Sequence, residues 1–118
     1  MKVKEEKIRK GYTRITVEIE NEKFISACKR ASVEICGKLL KEDGTPMTMK
    51  EAAGMYGMAM FHSKASSMLI QETLPLILEE KGMKDNYGVA TDVIQIGDQA
   101  DLIYTAVVNL ERSKETDA

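Results

Sequence analysis

The chain has no tryptophan, only two prolines and one histidine, and aromatic residues make up 5% of its 118 positions. With so few rings, most of the core must be aliphatic. Its two cysteines, Cys28 and Cys36, are eight positions apart in one helical pattern, so their Cα atoms would be about 12 Å apart. A disulfide needs them within about 7 Å, which excludes an intramolecular bridge and fits a reducing, cytoplasmic setting. No apolar run approaches membrane-spanning length, and the opening Met-Lys-Val-Lys-Glu-Glu-Lys lacks a hydrophobic signal segment. A surplus of basic charge is also missing. The net charge of −2 gives no general attraction to nucleic acid, so DNA binding is not expected.

Chemistry-bearing clusters are equally scarce. Cys28, Cys36 and His62 are the only soft metal ligands, without the close paired spacing or the fourth ligand of a structural zinc site. His62 and Ser66 stand at helical i and i+4, with no nucleophile elbow or oxyanion loop beside them. Gly54 and Gly57 fall in a helix and at its end, so no phosphate loop is present. No catalytic residues, metal or cofactor are therefore expected. An enzyme using His62 or the cysteines is the least favoured reading.

What the chain does contain is periodicity, enough for one domain over residues 1–118 with an ordered part of about 10–112. Residues 1–10 hold Lys2, Lys4, Lys7, Arg9 and Lys10 among few apolar groups and read as a loose, solvated lead-in. From Tyr12 to Glu20, Ile15, Val17 and Ile19 alternate with Thr16, Glu18 and Glu20, predicting a strand with one wet face. Asn21 is placed to cap a helix over about Glu22 to Leu40, whose stripe is Phe24, Ala27, Cys28, Ala31, Ile35 and Leu39. Lys41 to Pro46 reads as a turn through its Asp-Gly step and its proline.

Thr48 and Glu51 fit a capping box that starts a short helix ending near Gly57. A third helix covers about Ala59 to Lys81, closed by Gly82 and expected to kink or break near Thr73 because of Pro75. Val89–Ile96 and Asp101–Arg112 predict a hairpin across Gly97-Asp98-Gln99-Ala100. The last strand has one apolar face through Leu102, Tyr104, Ala106, Val108 and Leu110. Ile103 and Val107 make its other face partly apolar. Ser113 to Ala118 reads as a disordered tail. The expected architecture is α+β: a three-stranded antiparallel sheet with helices on one face, in the order β-α-α-α-β-β.

That order resembles the ribosome-binding domain of the chaperone trigger factor over roughly residues 12–112. Arg14-Ile15-Thr16-Val17-Glu18-Ile19 is similar to the family's first strand. Met55-Tyr56-Gly57 is similar to the Arg-Tyr-Gly closing its short helix. Ile77-Leu78-Glu79-Glu80-Lys81 resembles the end of its long helix, and Ile96 to Leu102 its hairpin turn. The resemblance implies a non-enzymatic module with the large ribosomal subunit and nascent or unfolded polypeptide as partners. It also implies a docking loop at Lys41, Gly44, Thr45 and Pro46, opposite the family's Gly-Phe-Arg-x-Gly-Lys-x-Pro. Here the Phe-Arg pair is absent, and Glu42 and Asp43 put negative charge where RNA phosphate would lie. The chain ends where the family's prolyl-isomerase domain would begin, so a stand-alone first domain is expected.

Two further surfaces suggest partners. Methionines crowd the middle of the chain, including Met47, Met49, Met55, Met58 and Met60, and these either fill a core or form an adaptable client surface. Met47 and Met49, flanking a turn and a cap, are expected to be the most exposed. Ile103 and Val107 could instead be buried against a second copy, which gives the alternative of a homodimeric interaction module that kept the fold and lost ribosome binding.

Overall fold

The sheet begins earlier than its hydrophobic pattern suggests. A computed structural model describes residues 1–82 and 89–109, and in it the charged opening segment is itself a strand, β1 (Lys2–Arg9), paired antiparallel with β2 (Tyr12–Ile19). Three helices follow, α1 (Asn21–Cys36), α2 (Met49–Tyr56) and α3 (Ala59–Glu80), and then β3 (Val89–Gln95) and β4 (Leu102–Asn109). The sheet is therefore four-stranded, ordered β1-β2-β4-β3 and antiparallel throughout, and the element order is β-β-α-α-α-β-β. This corrects the three-stranded β-α-α-α-β-β expectation and the reading of residues 1–10 as a loose lead-in.

The reason β1 escapes a pattern search is physical. Alternation records burial on one face, and every residue of β1 is exposed. Its ladder to β2 holds it, with ion pairs from Glu6 to Arg14 (3.6 Å) and from Glu5 to Lys81 (2.6 Å), and a contact from the N-terminal amine to Glu20. The turn at Gly11 has φ of 80°, a left-handed conformation that favours glycine.

The core lies between the sheet and two helices. Ile15, Val17 and Ile19 of β2 and Leu102, Tyr104, Ala106 and Val108 of β4 face Phe24, Ala27 and Cys28 of α1 and Ala65, Leu69, Leu74, Ile77 and Leu78 of α3. Each large side chain buried there contributes roughly 1.5–3 kcal/mol. The Tyr104 hydroxyl, inside this layer, bonds Thr73 Oγ1 at 2.6 Å.

Two helix boundaries, and the break considered near Thr73, differ from the sequence pattern. Asn21 is the first residue of α1 and not its cap: its Nδ2 donates to the carbonyls of Gly97 (3.1 Å) and Ala100 (2.6 Å). The backbone N–H of Asn21 donates to Asp101 Oδ1 at 2.8 Å, so a residue on the β3–β4 turn satisfies a donor at the helix start. At its other end α1 stops at Cys36, where Lys38 and Leu39 N–H close tighter turns onto Ile35 and Cys36. Finally, α3 continues unbroken through Pro75. Pro75 and Gln71, whose carbonyl loses its amide partner, are both exposed, while buried Leu74, Ile77 and Leu78 anchor the opposite face. Leu110, the strand end at Arg112 and the tail Ser113–Ala118 lie outside the described residues.

Candidate functional site

Beyond the sheet, α1, α2 and the start of α3 enclose a second, smaller core. Cys36, Ala52 and Phe61 are buried there, and Ile35, Leu39, Met47, Met49, Ala53, Met58 and Met60 pack against them. Four of the five singled-out methionines are therefore half-buried packing groups. Met47 and Met49, expected to be the most exposed, are among them. A methionine beside a turn still reaches inward, because its unbranched chain fills irregular gaps between helices. Met55 is the exception at 65% exposed, and Leu40 (59%) and Tyr56 (56%) are similarly open. Leu40 lies one step off the α1 stripe, a signal that it faces outward; nothing in the sequence marks Tyr56 as exposed.

The loop joining α1 to α2 is closed by its own backbone. Leu40 and Pro46 form an antiparallel bridge, Lys41 N–H donates to Thr45 O (2.8 Å), Gly44 N–H to Lys41 O (2.9 Å) and Met47 N–H to Leu39 O (2.8 Å). Gly44 has φ of 84°, which strains any residue carrying a Cβ. Asp43 Oδ1 accepts from both Thr45 N–H (3.0 Å) and Thr45 Oγ1–H (2.6 Å). Those bonds from Thr45 hold the Asp43 carboxyl below the usual carboxylate range. Asp43 thus builds the turn with Gly44 and Thr45.

The capping box predicted at Thr48 and Glu51 is present in both directions, 3.1 and 3.2 Å. Glu51 also draws Lys41 Nζ to 3.5 Å, and the Thr48 bonds, helped by Lys41, lower its carboxyl pKa. Both lowered carboxyls are ionised at neutral pH. Their contribution exists above the ordinary carboxylate range and is lost as pH falls through the depressed values. The loop's single lysine is therefore engaged within the molecule, whereas Glu42 is exposed with no partner among the described residues.

The other singled-out groups lie elsewhere. Ile103 and Val107 are half-buried on the outer face of β4. Glu18 and Gln95 flank Ile103, and Arg14 and Ala90 flank Val107, so among the described residues this face offers no continuous apolar patch for a second copy. His62 Nε2 meets Asp98 Oδ1 at 2.9 Å, and its ring stands edge-on to Phe24 with centroids 5.4 Å apart. It braces α3 against the β3–β4 turn. Burial, aided by the charge of Asp98, pushes the Cys28 thiol up to about 11 from 9.0. That leaves roughly a hundredfold less thiolate than an ordinary cysteine, so thiol reagents should label native Cys28 slowly and unfolded protein at once. Rapid labelling of the native protein would contradict this packing. Among the described residues no His, Cys, Asp and Glu group could hold a metal ion, and no helix is long and apolar enough to cross a membrane.

Sheet and helices together define an α+β domain in which a self-closed loop joins α1 to α2. No protein-family model matches the chain. It is 32% identical over 116 residues to trigger factor of Clostridium tetani, covering 93% of this chain and 26% of that protein. It is 29% identical over 112 residues to trigger factor of Clostridium beijerinckii and 31% over 114 to that of Clostridium botulinum strain Hall, each covering 92% of this chain and 26% of the relative. The chain is a sequence relative of trigger factors, as its element order, first strand, helix ends and hairpin turn suggested, and spans about a quarter of their length.

Proposed function

We propose that this chain is a non-enzymatic, ribosome-associated binding domain of the trigger-factor type, working in the cytoplasm and docking through Lys41–Pro46. The observation that carries the reading is the loop itself: Gly44 and Pro46 sit in a closed hydrogen-bonded turn between α1 and α2, in a chain similar to trigger factors over nearly its whole length. Exposed Leu40 beside the loop, and exposed Met55 and Tyr56 in the last turn of α2, offer apolar groups for a protein partner.

Charge sets the expected strength. Around the loop Lys38, Lys41 and Lys50 are balanced by Glu42, Asp43 and Glu51. Phosphate neutralisation then contributes little, and binding depends on shape and apolar contact. The chain should cosediment with large ribosomal subunits at low salt, with a shallow salt dependence. Gly44→Asp with Pro46→Ala should abolish this, because the left-handed turn and the bridge to Leu40 are both disturbed. Absence of cosedimentation at low salt would refute ribosome docking.

A further inference from the structure

The two edges of the sheet are treated differently. β1 carries Lys2, Lys4, Lys7 and Arg9, the charged guard that keeps an exposed edge from recruiting another strand. β3, at the opposite edge, reads Val-Ala-Thr-Asp-Val-Ile-Gln and has one charge. Its residues Ala90 to Gln95 are all exposed, with Ile94 61% so. Alternate amides and carbonyls of an antiparallel edge point away from the sheet. Among the described residues, the β3 backbone forms no hydrogen bond outside its ladder to β4.

A groove of about 370 Å³ runs beside this edge, between β3 and α3. Thr91 and Val93 line it from the strand, on the face they share with buried Ala106 and Tyr104. Ser63, Ser67 and Ile70 line it from the helix, and none of the described residues in its walls is charged. The strand's one charge, Asp92, pairs with Thr105 and so belongs to the outer face.

We propose that this edge is a strand-addition site for an extended polypeptide segment. The incoming main chain extends the sheet as a fifth strand, and every second side chain, small and uncharged, enters the groove. Side chains of the other parity lie on the outer face, where a lysine or arginine near Asp92 completes an opposite-charge cross-strand pair. Main-chain recognition makes the site tolerant of sequence, with the uncharged groove and Asp92 setting its preference. It is independent of the docking loop.

The test uses a fluorescein-labelled peptide, Val-Thr-Val-Lys-Val-Thr-Val, and anisotropy with the full chain. Saturable binding should weaken at least tenfold in Val93→Lys, which places on β3 the kind of guard β1 already has. N-methylation of the peptide at one parity should abolish binding, and at the other should be tolerated. Because Val93 is at the surface, an unchanged circular dichroism spectrum separates loss of binding from loss of fold, and Ser67→Trp, filling the groove from the helix, gives a second route. No binding up to about 1 mM peptide, or binding indifferent to both Val93→Lys and N-methylation, would overturn the proposal. Ribosome cosedimentation of Val93→Lys should equal wild type, so the two sites fail or succeed separately.

Discussion

Phe24→Ala should remove most of the margin that keeps this chain folded. Phe24 is fully buried between α1, α3 and the sheet, and its ring meets His62 edge-on. Truncating a buried phenylalanine costs about 3–5 kcal/mol, combining lost transfer energy with the cavity left behind. Domains of this size are stable by roughly 5–15 kcal/mol, so the loss is a large fraction of the total. A chain with two phenylalanines and no tryptophan has few large groups to collapse into the gap. Thermal denaturation should show a Tm lower by about 12 °C or more. A fall of less than about 5 °C would mean that Phe24 is not the anchor of the helix–sheet layer.

Glu42→Arg should have the largest gain-of-function effect. The other polar side chains of the loop are all engaged in holding its shape, since Asp43 and Thr45 form the turn and Lys41 pairs with Glu51. Glu42 makes no such contact, so replacing it leaves the loop intact while adding two units of positive charge. If the loop faces ribosomal RNA, affinity for large subunits should rise about tenfold at low salt, and the salt slope should steepen by about one phosphate contact. Unchanged affinity and slope would indicate that the loop faces protein and not phosphate.

The parts of the fold visible in the sequence are those where burial writes a period or a cap needs a particular side chain. β2 and β4 show alternation because α1 and α3 cover one of their faces. The Thr48–Glu51 box follows from local hydrogen-bonding chemistry and is present as expected. β1 has neither signal: it is wet on both faces and held by a ladder that carries no side-chain pattern. Asn21 departs from expectation for a related reason. A helix cap and a residue clasping a turn near position 100 look alike in sequence, and only the tertiary fold brings Gly97 and Ala100 within its reach. Pro75 is tolerated because it and Gln71, whose carbonyl it deprives of a partner, are both exposed residues of α3.

At the candidate site, the closed Lys41–Pro46 turn is legible through Asp43, Gly44 and Pro46. The inward packing of Met47 and Met49 is not, since a methionine's direction depends on which gap its neighbours leave. Ile103 and Val107 look like a partner surface in sequence because alternation cannot see Arg14 and Glu18 lying beside them across the ladder. β3 at a sheet edge, flanked by α3, is likewise a property of topology that no local motif records.

The measurement that tests the central claim most directly is amide hydrogen exchange of the chain alone and saturated with large ribosomal subunits. The amides of Lys41, Gly44, Thr45 and Met47 are hydrogen-bonded within an exposed loop, so their exchange reports local opening. Docking through this loop predicts that their exchange slows on binding while that of β1 is unchanged. Protection confined to the sheet, with the loop exchanging as in the free chain, would contradict it.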